Sequence, residues 1–177
     1  MKLRTTLTPI ALMLSIALPT FADDDTDYIV VTGSRTATQL NHTPASISSL
    51  TRREIEQQKP HFIGEVLNQL AGVYMTDLGN EQHSMSIRQP LSYNALYLYM
   101  EDGIPIRPLG LFNHNALYEI NLNGEQAIEV LRGPASSLYG ANSVGGTINF
   151  LSARPGLNNG LRLASVGSDQ SYQRLDL

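Results

Sequence analysis

Leu131 to Pro155 reads LRGPASSLYGANSVGGTINFLSARP, and the backbone of the surrounding chain follows from it. An apolar strand ends in Val130-Leu131, an Arg-Gly-Pro corner and a Tyr-Gly turn follow, and after Gly145-Gly146 a second β-branched run extends from Thr147 to Leu151. Gly133, Gly140, Gly145 and Gly146 each permit backbone angles that a side chain forbids, and Pro134 fixes φ just after the corner. Such a stretch presents one charged side chain, Arg132, from tightly turned backbone.

Before this segment the period of the pattern is two from Val73 onward. Tyr74 and Met75, Ser84 to Arg88, Ala95 to Met100, Ile104-Pro105-Ile106, Ala127 to Leu131 and Thr147 to Leu151 read as short strands. Glu101-Asp102-Gly103 joins two of them, with Asp-Gly supplying positive φ angles. Further upstream the pattern is helical. Thr51 and Glu54 form a capping box, with Leu50 set to pack on Ile55 as a hydrophobic staple, and Lys59-Pro60 ends that helix. A second helix is expected from Phe62 to Ala71, with Ile63, Val66, Leu67 and Leu70 on one face and Gly72 at the left-handed position that closes it. A short strand precedes both near Ile47. Two helices followed by a mixed set of short strands make a small α+β domain.

This ordered succession resembles the plug domain of TonB-dependent outer-membrane receptors, in which an Arg-Gly-Pro, a Leu-Tyr-Gly and a Gly-Gly-x-Ile-Asn follow at this spacing. The resemblance implies a plug with a mixed sheet of short strands and two short helices, filling the lumen of a transmembrane β-barrel.

The N-terminus carries an address. Lys2 and Arg4 precede the apolar run Leu7 to Ala17, and Pro19-Thr20-Phe21-Ala22 places small residues before a cleavage point, the pattern of a secretory signal peptide at residues 1–22. A retained anchor needs about 20 apolar residues, and Pro9, Ser15 and Pro19 interrupt this run. Cleavage removes Lys2 and Arg4 from the 12 basic side chains and none of the 16 acidic ones. The mature chain is acidic, and no basic stripe speaks for nucleic acid.

Residues 23–43 form a polar lead. Asp23-Asp24-Asp25 is followed by Tyr28-Ile29-Val30-Val31-Thr32, a run of high β propensity stopped by Gly33-Ser34. A short extended segment beside a terminus suits strand addition to a partner's sheet edge, and equally suits an ordinary first strand. In composition and in distance from the mature N-terminus it resembles the TonB box, which implies TonB of the inner-membrane energising complex as the partner of Tyr28, Ile29, Val30, Val31 and Thr32. The plug then spans residues 44–155. After Pro155, residues 156–177 contain Leu161 to Val166 and Tyr172 to Leu177 around a Gly-Ser-Asp-Gln turn, the pattern of the first hairpin of an incomplete transmembrane barrel.

Within the resemblance, Arg88 matches the family's Ile-Arg-Gly strand end and Arg132 its Arg-Gly-Pro arginine, so both are expected to face carboxylates on the barrel wall. A guanidinium fork binds such carboxylates bidentately. Gln89-Pro90 replaces the family glycine, which points to a different path for the loop that follows. By the same comparison substrate would meet Tyr93 in one apical loop and Leu111, Phe112, Asn113 and His114 in another, an aromatic with polar neighbours suited to a ferric siderophore or similar chelate. The outer membrane is the expected location. A stand-alone periplasmic adaptor that engages TonB, or an inert truncated remnant, is the alternative.

Other chemistry finds no support. The chain has no cysteine, His42, His61, His83 and His114 show no pairing at metal-ligand spacing, and no nucleophile elbow or phosphate loop is present. Glu101-Asp102 is the tempting acidic pair, but adjacent residues on a hairpin serve turn geometry. No cofactor, no metal and no enzyme activity are expected.

Overall fold

Thr51 ends a strand and begins a helix in a single residue, and much of the fold hangs on that junction. In the computed structural model, which describes residues 29–79, 82–92, 94–106, 117, 120–154, 163–167 and 173–176, strand β3 spans Ile47–Thr51 and helix α1 spans Arg52–Gln58. The Thr51 hydroxyl accepts from the Glu54 backbone N–H while the Thr51 N–H donates to Glu54 Oε2 at 2.7 Å, completing the expected capping box. Such a cap is worth about 1 kcal/mol. Leu50 and Ile55 on either side of it are both buried in the main core. Lys59 adopts a left-handed conformation, φ 48°, and Pro60 follows.

Helix α2 spans Ile63–Leu67, shorter than expected. Asn68 turns its side chain onto the next strand instead: its Nδ2 donates to Met75 O at 2.9 Å and its Oδ1 accepts from Met75 N at 2.6 Å. The amide replaces a neighbouring strand, so the chain leaves helical geometry early and closes through Gly72 at φ 76°. The hairpin of β4 (Val73–Gly79) and β5 (Gln82–Ile87) comes next.

The central sheet has five strands in the order β3, β8 (Glu125–Arg132), β9 (Gly146–Ser152), β6 (Tyr97–Glu101) and β7 (Ile104–Pro105). Only β6 and β9 run parallel; the other pairs are antiparallel. One face of β8 and β9, with Ile128, Val130, Ile148 and Phe150, packs on Ile55, Val66, Leu67, Met75, Met85 and Ile87 from the helices and the β4–β5 hairpin. The expected turn between β6 and β7 is present, with Asp102 at φ 50° and Gly103 at φ 80°.

Two further elements depart from expectation. The strand does not continue through Val31 and Thr32: β1, Ile29–Val30, pairs with β2, Thr38–Gln39. A one-turn helix α3, Ser136–Tyr139, occupies the Tyr-Gly turn. Gly133 and Gly140 do take positive φ, but Gly145 and Gly146 do not. The pair is small for lack of room: a Cβ on Gly146 would lie 2.8 Å from the Leu131 carbonyl oxygen. Beyond Arg154, β10 (Ala164–Gly167) pairs antiparallel with β11 (Gln173–Asp176) as a sheet of its own. Among the described residues every sheet is open, and no helix is long and apolar enough to cross a membrane.

Candidate functional site

Glu129 sits in the middle strand of a polar row, with Ser49 of β3 on one side and Asn149 of β9 on the other. Ile128 and Val130 point into the main core, so alternation sends Glu129 to the opposite face. That face is not open to water. Glu129 is 0% exposed, because the segment from Val30 to Arg35 lies across it.

The backbone of this segment is shaped to receive a carboxylate. Val31 N–H donates to both Glu129 oxygens, at 3.0 and 3.1 Å, and Thr32 N–H donates to Oε2 at 2.7 Å. Two successive N–H groups converge because the chain turns here, with Ser34 and Arg35 both donating to the Val31 carbonyl; such concave runs of N–H groups bind anions. Gly33 allows the approach, since a Cβ there would stand 2.5 Å from Ile47 Cδ1. Thr32 is fixed from two more sides. Asn149 Nδ2 donates to its hydroxyl at 3.1 Å, and Tyr139 Oη donates to its carbonyl at 2.8 Å. Val30 packs with Ile47, Leu131 and Ala135 in a second small core.

Tyr139 in turn carries Arg35 over its ring, 5.0 Å from the centroid. Burial pushes its hydroxyl above the usual range, Arg35 opposes that, and Glu129 adds to it. Asn149 has a second duty: its Oδ1 accepts from Gly103 N at 2.9 Å. Beside it the Asp102 carboxylate accepts from both the N–H and the hydroxyl of Ser152. The β6–β7 turn is therefore pinned to β9 at both of its central residues, through the Asp102 carboxylate and through the Gly103 N–H bound to the Asn149 side chain.

A second constellation forms where β5 and β8 end. Arg88, at φ 55°, and Arg132 both direct a guanidinium at the Ser46 hydroxyl, Arg88 Nη2 at 2.8 Å and Arg132 Nε at 3.3 Å. Arg132 Nη1 also donates to Ala71 O at 2.8 Å. Burial, and then the charge of Arg88, hold Arg132 below its ordinary pKa. Among the described residues no carboxylate pairs with either arginine; the ion pair found there is Arg52–Glu56. Two like charges around one neutral hydroxyl leave anion-binding capacity unused.

The model of the TonB-dependent receptor plug domain matches residues 39–147. The chain belongs to that family. Solved structures with the same fold include FpvA of P. aeruginosa bound to heterologous pyoverdines, at 24% identity and a TM-score of 0.57 over 75% of this chain and 18% of that one. The ferric yersiniabactin uptake receptor FyuA from Yersinia pestis matches at 22% identity and TM-score 0.55, over 74% of this chain and 20% of its own. The alcaligin outer-membrane receptor FauA from Bordetella pertussis matches at 21% and 0.55, over 72% and 21%. The chain spans about a fifth of the length of these receptors. Glu101 ends β6 and Asp102 lies in the β6–β7 turn of the plug, its carboxylate bound to Ser152.

Of the residues the sequence singled out, the plug brings Arg88 and Arg132 together and places Val30, Val31 and Thr32 on the far face of the sheet. Ile29 pairs with Gln39 in β1–β2. The signal peptide, Tyr28, Tyr93 and Leu111, Phe112, Asn113 and His114 lie outside the described residues. Gln89 accepts a bond from the Ser86 hydroxyl at its carbonyl, and the loop folds back through paired bonds between Met85 and Ser92. Sequence reasoning missed Glu129, Asn149 and Tyr139. A glutamate alternating with isoleucine and valine reads as a solvent-facing residue, and only the distant segment that covers it reveals otherwise.

Proposed function

We propose that this chain is the N-terminal plug part of a TonB-dependent outer-membrane receptor that gates energised uptake of a scarce, bulky nutrient, a ferric siderophore or similar chelate. The observation that carries the reading is the Arg88–Arg132 pair, two guanidinium groups aimed at one neutral hydroxyl without a carboxylate among the described residues. A plug seated inside a barrel whose wall bears carboxylates would supply the missing charge, and exchangeable ion pairs in a wet lumen suit a part that must later move. Tyr28 to Thr32 act as the TonB box, entering a partner sheet by strand addition. Tyr93 and Leu111 to His114 belong to the loops that meet the chelate. The fold shared with receptors described by their pyoverdine, yersiniabactin and alcaligin ligands supports the choice of substrate class.

The test is fractionation of cells expressing the frame at its native locus, probed with an antibody against Thr51 to Ala71, followed by uptake of radioactive iron presented as ferric siderophores under iron limitation. A heat-modifiable outer-membrane band well above 19.4 kDa, with uptake lost on deletion, is the expected result. A small soluble periplasmic band with unchanged uptake would overturn the reading in favour of an adaptor or a remnant.

A further inference from the structure

Glu125 opens β8, opposite Ser152 of β9. The residue is 2% exposed, and its Oε2 has no hydrogen-bond partner among the described residues. On the β6 side of β9, Ser152 is held by the β6–β7 turn: its N–H donates to Asp102 Oδ1 at 3.0 Å and its hydroxyl to Asp102 Oδ2. One serine is thus flanked across the sheet by two carboxyl groups, with Glu101 next to them at the end of β6. The cation that bears on Glu125 is Arg52 of α1. Its Nη1 donates to the carbonyls of Leu122, Asn123 and Glu125 at 3.1, 2.6 and 2.8 Å, and its Nε pairs with Glu56, so it forms no ion pair with the Glu125 carboxylate. Ser152 and the Leu122–Gly124 turn, packed at the same end of β8, carry no charge.

A carboxyl group in this setting is at ease only as the neutral acid. Ionised, it would set a third negative charge beside Glu101 and Asp102 with no donor at Oε2. We propose that Glu125 is a proton-operated clasp: its neutral side chain lets the start of β8, the end of β9 and the β6–β7 turn close on one another, and loss of its proton to water opens that joint. Burial first, and then Glu101 and Asp102, raise its pKa from 4.5 to about 7 against the pull of Arg52, which places the change in a mildly acidic range. The ladder keeps the opening local. The β8–β9 register shifts between Glu125 and Ala127, so the Glu125–Ser152 rung, together with the bond from Ala153 N–H to Gly124 O at 2.9 Å, is set off from the regular pairing of Ala127 to Arg132. Parting Asp102 from Ser152 takes one carboxylate away from Glu125 and admits water to both. Ala153 and Arg154 follow directly, so the clasp sets how firmly β9 is held where the chain leaves the five-stranded sheet.

The test is amide hydrogen exchange of the full chain at a series of pH values, corrected for the intrinsic rate. Because opening releases the proton, protection at Ser152 and Ala153 falls by about tenfold or more between about pH 5 and about pH 7 and then levels off, while Val130 and Ile148 hold theirs. In Glu125→Gln, which keeps the shape and cannot ionise, the fall disappears and protection stays at the acid value. Protection that does not change with pH in the parent overturns the clasp, and so does a fall that persists in Glu125→Gln. A fall shared equally by Val130 and Ile148 overturns the local joint. If Glu125→Gln does not fold, Glu101→Gln decides: with one like charge gone, protection levels off at a lower pH than in the parent, and an unmoved profile overturns the proposal.

Discussion

Arg88 and Arg132 donate to the same oxygen, the Ser46 hydroxyl, from strand ends that lie far apart in the chain. Their charges repel, and burial already disfavours the charged form of Arg132. In the chain alone, Arg88→Ala should leave the thermal midpoint unchanged or raise it. Arg132→Ala, which also frees Ala71 O, should cost about 1 kcal/mol. The double variant should lose more than the two single changes predict, since removing Arg88 first relieves Arg132 of a like charge. A double-mutant cycle of thermal midpoints checks this, and a coupling of the opposite sign would show that the two side chains support each other.

Asn68 substitutes for a strand by holding both backbone groups of Met75. Asn68→Ala leaves an N–H and a carbonyl of β4 without their partners at the edge of the core, a loss of about 2 kcal/mol. Asn68→Asp retains the acceptor and should recover about half of that. Urea midpoints of the three proteins decide, and equal midpoints for Asn68→Ala and the parent would refute the role.

Glu125 is buried at the start of β8, and burial, with Glu101 and Asp102 nearby, raises its pKa from 4.5 to about 7 against the pull of Arg52. Between these two values the folded chain keeps a proton that the unfolded chain has lost, so the folded state binds more protons and stability falls as pH rises through that window. Above it both states are ionised and the decline stops. Glu125→Gln should flatten the slope. Urea unfolding at about pH 5 and about pH 8 measures it; a parent protein more stable at the higher pH would contradict the assignment.

Gly146 leaves no space for a side chain, with the Leu131 carbonyl oxygen and Ile87 Cδ1 each 2.8 Å from where a Cβ would be. The carbonyl belongs to the neighbouring strand and cannot swing aside. Gly146→Ala should cost about 2 kcal/mol through overpacking, seen as a lower melting temperature with the far-ultraviolet spectrum preserved. A neutral substitution would mean that β8 and β9 separate more easily than their register suggests.

What the sequence made legible was local. The Thr51–Glu54 cap needs only residues three apart, and the Asp102-Gly103 turn needs only two adjacent conformations, so both appear where they were expected. Helix α2 stops short of the Phe62 to Ala71 span that its periodicity predicts because its end is decided by Asn68 reaching Met75, a contact that helical periodicity does not encode. Tyr28 to Thr32 has the propensity of a strand throughout, yet the chain turns after Val30 because Glu129, 97 residues beyond Thr32, offers its N–H groups a better acceptor. Gly145-Gly146 was visible as a feature but for the wrong reason: crowding, not backbone angle, excludes a side chain there. Interactions between distant segments account for each of these differences.

The position of β3 at the margin of the five-stranded sheet, bonded to β8 alone, bears on how the plug would yield to tension. Residues 31 to 46 lead from the N-terminal segment through β2 to β3, so along the chain β3 is the first strand of the five-stranded sheet that a load applied at that end reaches. Peeling a marginal strand breaks its rungs one after another, starting from the Ile47–Leu131 pair, whereas pulling a central strand must shear two ladders together. The inner strands β8, β9 and β6 could then keep their pairing while the outermost one departs, and the same sequence of rungs would guide it back once the tension is gone.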